Sequence, residues 1–169
     1  MPEDGAKPVN VAVLADAGSR VELVVPVERL ARIAEHLTSR QGVVTGSVKL
    51  AREQGRIVAE VELAATLALR CQRCMQPLQL PIQCRSRVVL LENEAAAADV
   101  PPELETALAP EGRLPLAELV EEELLLALPV APRHDGVCPG GEQGEAETAS
   151  QPTQRPFADL GELLGRSKH

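Results

Sequence analysis

Aromatic residues are almost missing from this chain: it has no Trp, no Tyr and a single Phe, Phe157 near the C-terminal end. A single-stranded nucleic-acid platform that stacks bases on aromatic rings is therefore excluded, and the core has to be packed from Leu, Val, Ile and Ala. A positive balance is missing too. The 17 Lys and Arg residues face 25 Asp and Glu residues, for a formal net charge of −8, so the overall field repels phosphate and any RNA contact needs a local basic patch. No apolar run approaches the roughly 20 residues of a membrane-crossing helix. The opening Met1-Pro2-Glu3-Asp4-Gly5 is acidic and lacks the positive start and apolar stretch of a secretory signal. The expectation is a cytoplasmic protein with no membrane association, whose Cys71, Cys74, Cys84 and Cys138 serve as thiols or metal ligands rather than stable disulfides. Also missing are a phosphate-cradling Gly loop, a nucleophile elbow and paired His residues beside a nucleophile, so no enzymatic activity is expected.

What is present suits one domain with a tail: 169 residues, 44% of them hydrophobic. Val9 to Leu14 and Val21 to Val25 are short β-prone runs separated by turn formers. Pro26 then opens a helix through Leu37, with Leu30, Ile33, Ala34 and Leu37 at helical spacing. The period then changes to two, giving strands over Val44–Leu50, Arg56–Arg70 and Leu78–Leu91, joined by short turns as an antiparallel meander with one buried face. An acidic loop rich in Ala and Pro fills 92–112. Pro115 starts the strongest helix, where Leu116, Leu119, Val120, Leu124, Ala127 and Leu128 form an apolar stripe and Glu118, Glu121 and Glu122 turn to solvent. The predicted fold class is thus α+β: an antiparallel meander sheet packed by two amphipathic helices, with a disordered C-terminal tail. The domain runs over 1–135, a linker disordered by composition follows over 136–156, and a short amphipathic segment closes the chain over 157–169.

The sharpest chemical feature is Cys71-Gln72-Arg73-Cys74, because two residues between cysteines let both thiolates reach one tetrahedral ion from a tight turn. His134 and Cys138 supply a second half-site if the tail folds back, and the four would then form a Cys₃His zinc site. Thiols simply packed at a hairpin end are the alternative. A redox role for the pair is weaker, since no helix follows Cys74 to lower a thiol pKa. Cys84 falls on the apolar face of its strand and reads as a small buried hydrophobe. The second feature is charge segregation. Between Glu62 and Glu92 there is no acidic residue, while Arg70, Arg73, Arg85 and Arg87 lie there. Strand pairing can gather them on one RNA-binding surface of weak, salt-sensitive affinity, or they are a solvated face neutralised by nearby carboxylates. The run Glu121-Glu122-Glu123 is expected to be a solvated helix face and a surface for a basic partner protein.

The order of these motifs carries a resemblance. Leu69-Arg70-Cys71-Gln72-Arg73-Cys74-Met75-Gln76-Pro77, followed by Leu119-Val120-Glu121-Glu122-Glu123-Leu124 through Leu128-Pro129-Val130-Ala131-Pro132-Arg133-His134 and a later Cys, resembles the YceD family. The ending Pro156-Phe157-Ala158-Asp159-Leu160 is similar to the close of its proteobacterial members. The resemblance implies a cytoplasmic, non-enzymatic protein required for accumulation of 23S ribosomal RNA, acting in its synthesis, processing or stability on the RNA or the large-subunit precursor. A protein adaptor for a basic ribosomal protein is the other reading. It marks Cys71, Arg73, Cys74, Glu121, Glu122 and Pro129 as signature positions. Some members carry further cysteines that would complete a zinc site, where this chain has His134 and a lone Cys138.

Overall fold

Alternation of apolar and polar residues over two fifteen-residue stretches produces the longest elements of the computed structural model, which describes residues 2–139. In chain order these residues form β1 (Pro8–Asn10), α1 (Val11–Asp16), β2 (Arg20–Pro26), a 3₁₀ turn (Val27–Arg29), α2 (Ala31–Ala34) and β3 (Leu37–Ser39). Then come β4 (Val43–Glu53), β5 (Arg56–Arg70), β6 (Pro77–Leu91), a 3₁₀ turn (Glu94–Asp99), β7 (Glu105–Leu108), a 3₁₀ turn (Pro110–Gly112), β8 (Arg113–Pro115) and α3 (Leu116–Ala127).

The antiparallel strands expected from the sequence are present as β4, β5 and β6, but an antiparallel meander packed by two amphipathic helices is not the fold. The sheet has six strands and is mixed. β2 adds antiparallel beside β4, β3 pairs with the far end of β5, and β7 joins β6 in parallel. β1 and β8 make a separate two-stranded ribbon. Nor do two amphipathic helices pack the sheet. Over 26–37 the helical spacing is realised only as a 3₁₀ turn and the four-residue α2, because Leu30 adopts φ −92 and ψ 85 and breaks the backbone ladder between them. Val27, Leu30 and Ile33 are fully buried all the same, so burial satisfies the apolar pattern without a continuous helix. The run Val9 to Leu14, read as β-prone, turns helical at Val11. Asn10 caps α1 by accepting the Val13 N–H at 3.1 Å, and Val11 and Ala15 bury one face at i, i+4. The stretch 92–112, read as loop, contains β7.

One sheet face builds the core. On β5, Ala59, Val61, Leu63, Ala65, Leu67 and Leu69 point inward, against Val44, Val48 and Leu50 of β4 and Leu23 and Val25 of β2. α3 covers this face with Leu116, Leu119, Val120 and Leu124, the stripe its sequence foretells; each such leucine contributes about 1.5–3 kcal/mol on burial. Gly46 on β4 lies opposite Leu63 of β5. A Cβ there would come within 2.1 Å of the Glu62 carbonyl oxygen, so only glycine fits. The opposite sheet face carries the charged pairs of Glu62 with Arg85 and Glu60 with Lys49, while Ser47, Val58 and Val89 on it are buried. Among the described residues no helix is long and apolar enough to cross a membrane. The expected amphipathic segment over 157–169, and the expected linker beyond Pro139, lie outside the described residues.

Candidate metal centre and charged surfaces

The turn between β5 and β6 places Cys71 and Cys74 at the tip of the longest hairpin. Cys71 N donates to Gln76 O at 2.9 Å and Met75 N to Cys71 O at 2.8 Å, with Met75 at φ 62 absorbing the reversal. After α3 the chain crosses this tip, where Gln72 N donates to Pro132 O at 2.8 Å. That crossing delivers His134 and Cys138. Cys74 Sγ lies 3.5 Å from His134 Nδ1 and Cys71 Sγ lies 3.8 Å from Cys138 Sγ, and all four donor atoms fall within 4.8 Å of one another. Cys71 and Cys138 are buried, Cys74 and His134 half-buried. His134 Nε2 is 3.1 Å from Pro77 O; as the donor of that bond it leaves the Nδ1 lone pair facing the thiols, the orientation a ligating imidazole requires. The cluster can therefore hold a metal ion.

Arg73, between the two cysteines, closes over the arrangement. Its Nε approaches Cys138 Sγ at 2.9 Å, and its Nη2 donates to the carbonyls of His134, at 3.1 Å, and Gly136. Burial pushes the Cys71 thiol up, but the backbone groups of Cys74, Arg73 and His134 outweigh it and hold its pKa at about 5. Burial likewise opposes ionisation of Cys138, and the Arg73 guanidinium reverses this so that its pKa falls. His134 is raised, first by Cys138. Deprotonated sulfur is the ligating form, so two of the donors are prepared for a cation. No helix follows Cys74, and the dipole that activates redox Cys-x-x-Cys pairs is lacking. Cys84 stands on the inner face of β6, its pKa raised by burial and then by the Glu123 carboxylate.

The four arginines expected to form one patch are split into two groups. Arg85 pairs with Glu62, which also takes Arg20 Nη2 at 3.2 Å, and Arg87 pairs with Glu53. Register explains the pairing, since Glu62 lies opposite Arg85 on β5. Arg70, at the other end of β5, is eight residues from Glu62, about 26 Å along an extended strand, and Arg73 belongs to the cysteine cluster. Arg70 is exposed and has no ion-pair partner among the described residues. The same holds for Arg133, on the segment crossing the hairpin tip; its return to that tip depends on the path of the chain after α3, which no local pattern in the sequence shows.

On α3, Glu118 and Glu122 are exposed, but Glu121 is not the solvated residue its position suggested. Its Oε1 accepts the Arg32 N–H at 2.6 Å and the Ile33 N–H at 3.1 Å, capping α2 from a distant element. Glu123 is also buried, at 5% exposure, and burial, Glu105 and Glu122 raise its pKa against the opposing Ser86 hydroxyl. Ser86 Oγ beside it is buried without a hydrogen bond of ordinary geometry. Pro129 is exposed just beyond the end of α3.

The profile of the family described as "Large ribosomal RNA subunit accumulation protein YceD" matches residues 59–164, which include most of β5, all of β6 and α3, and the whole Cys₃His cluster. A Haemophilus influenzae protein named "Large ribosomal RNA subunit accumulation protein YceD" is 30% identical over 173 aligned positions, covering 92% of this chain and 95% of that protein. No solved structure matches.

Proposed function

This chain belongs to the YceD family, and on that premise we propose that it is a cytoplasmic, non-enzymatic ribosome-biogenesis factor that supports accumulation of 23S ribosomal RNA through a zinc-built knuckle contacting RNA. The observation that carries this reading is the Cys₃His cluster at the hairpin tip, with exposed Arg70 at the end of the strand that leads into it and exposed Arg133 on the segment that crosses it. A tetrahedral zinc with Zn–S near 2.3 Å and Zn–N near 2.0–2.1 Å has S···S edges of about 3.8 Å and S···N edges of about 3.6 Å. Two of the six donor separations here are 3.8 Å, between Cys71 and Cys138, and 3.5 Å, between Cys74 and His134, and all six lie within 4.8 Å. Three thiolates and a neutral imidazole around Zn²⁺ leave one negative charge, which the Arg73 guanidinium offsets. Held by Cys71, Cys74, His134 and Cys138, zinc would supply a structural cross-link between the hairpin and the segment after α3 that carries Arg133. Zinc knuckles are a recurring RNA-binding device, and two guanidiniums without an ion-pair partner among the described residues suit phosphate bidentately without reading sequence.

Arg85 and Arg87 are less suited to phosphate, because Glu62 and Glu53 already neutralise them. Binding of a large-subunit ribosomal RNA transcript, measured as a function of salt, tests the assignment. Replacing Arg70 and Arg133 with Ala should reduce the slope of log K against log salt by about one for each phosphate no longer neutralised, while the Arg85 and Arg87 replacements leave it nearly unchanged. Equal effects of the two pairs would overturn the knuckle as the RNA surface. A second reading, a protein adaptor that makes no RNA contact, is favoured by one observation: the exposed carboxylates of Glu118 and Glu122 line a groove whose walls carry a single cation, Arg32.

A further inference from the structure

Three consecutive residues of β7, Thr106, Ala107 and Leu108, line a groove of about 690 Å³ between β7 and α3. Successive strand side chains point to opposite faces, so what the groove meets is the backbone edge of the strand. β7 is the last strand on its side of the sheet. Ala109 N donates to Leu91 O at 2.6 Å, continuing the parallel ladder with β6. By alternation the N–H and C=O of Ala107 also face β6, while those of Thr106 and Leu108 face away. No group outside the sheet takes them up among the described residues. Leu108 adds an exposed apolar side chain, at 42% exposure, although proteins usually protect such edges with charge or Pro. The groove walls carry Glu94, Glu118, Glu121 and Glu122 against one cation, Arg32. Glu121 is occupied with capping α2, which leaves three carboxylates facing the opening.

We propose that this edge is a strand-addition site for an extended, Lys- or Arg-rich segment of a partner protein, which pairs with Thr106 and Leu108 and places its cations against Glu94, Glu118 and Glu122. This deepens the adaptor reading and rests on it; it requires neither RNA contact nor the metal. RNA is disfavoured here by the carboxylates, whereas a basic peptide satisfies both the open backbone groups and the charge.

The test uses the full chain and a short peptide of alternating lysine and valine, with one of alternating glutamate and valine as control. Amide resonances and hydrogen exchange of Thr106 and Leu108 provide the readout. The basic peptide should shift both amides and slow their exchange, and the acidic one should not. Glu118→Gln with Glu122→Gln should weaken binding about tenfold at low salt. Thr106→Pro should abolish binding and still fold, because an outward-facing N–H on an edge strand tolerates Pro. Binding that survives Thr106→Pro in a folded protein would overturn the proposal. So would protection of both amides in the isolated chain, which would assign the edge to another part of the same molecule or to a second copy. Because Thr106→Pro leaves Arg70 and Arg133 untouched, loss of peptide binding with intact RNA binding separates this site from the knuckle.

Discussion

Replacing Glu121 with Ala should destabilise the protein by about 3 kcal/mol, a figure built from charge-assisted hydrogen bonds of about 1.5–3 kcal/mol each and helix caps of about 1–2 kcal/mol. Glu121 is only 9% exposed, and its Oε1 accepts from two backbone donors at 2.6 and 3.1 Å. One of those donors belongs to Ile33, which is completely buried and has no water to turn to. Glu121→Gln keeps a neutral acceptor and should lose about 1 kcal/mol. Glu122→Ala, one residue along and exposed, should change stability by no more than about 0.5 kcal/mol. Urea denaturation of the four proteins at one pH resolves these differences, provided the m-values stay equal. A Glu121→Ala cost no greater than that of Glu122→Ala would refute the capping role, for then α2 holds its conformation without the carboxylate.

On the zinc proposal, treating zinc-loaded protein with a chelator, or replacing Cys74 with Ser, should speed exchange of the Gln72 amide at least about tenfold by freeing the segment that carries Pro132, the acceptor of that bond. Amides in the centre of β5 should keep their protection, and uniform loss across the sheet would contradict a local cross-link. Glu123→Gln should raise stability at neutral pH. The folded-state pKa of Glu123 is raised, so its favourable contribution is complete below the unfolded value of about 4.3 and is lost as pH rises through the folded value. The gap between variant and parent should therefore close toward acid; a gap that widens there would refute the assignment. Asp4, Asp16 and Glu62, whose pKa values are lowered, act in the opposite sense in both proteins and cancel from the comparison.

Strand parity made β4, β5 and β6 legible, and the stripe on α3 was equally plain, because long regular elements with one buried face write their period into the sequence. β7 was not legible: its four residues, Glu105 to Leu108, are too few to show a period, and only the neighbouring β6 makes them a strand. The expected first helix failed for a different reason. Val27, Leu30 and Ile33 are apolar because they are buried, and burial does not distinguish a helix from a turn followed by a short helix. At the site, Cys-x-x-Cys announced half of the Cys₃His cluster, and His134 with Cys138 announced the other half only by residue type. The carbonyl contacts of Arg73, the capping role of Glu121 and the separation of Arg70 from Arg85 all depend on register or on how distant segments meet, which no local pattern encodes.

RNA contact through the hairpin tip is tested most directly by crosslinking the protein to RNA in cells and sequencing the attached RNA. The parent chain is compared with the Arg70→Ala/Arg133→Ala protein and the Arg85→Ala/Arg87→Ala protein. The parent and the second variant should recover 23S sequences, and the first variant should lose them. Ribosomal RNA recovered equally with all three, or with none, would contradict an RNA-binding knuckle.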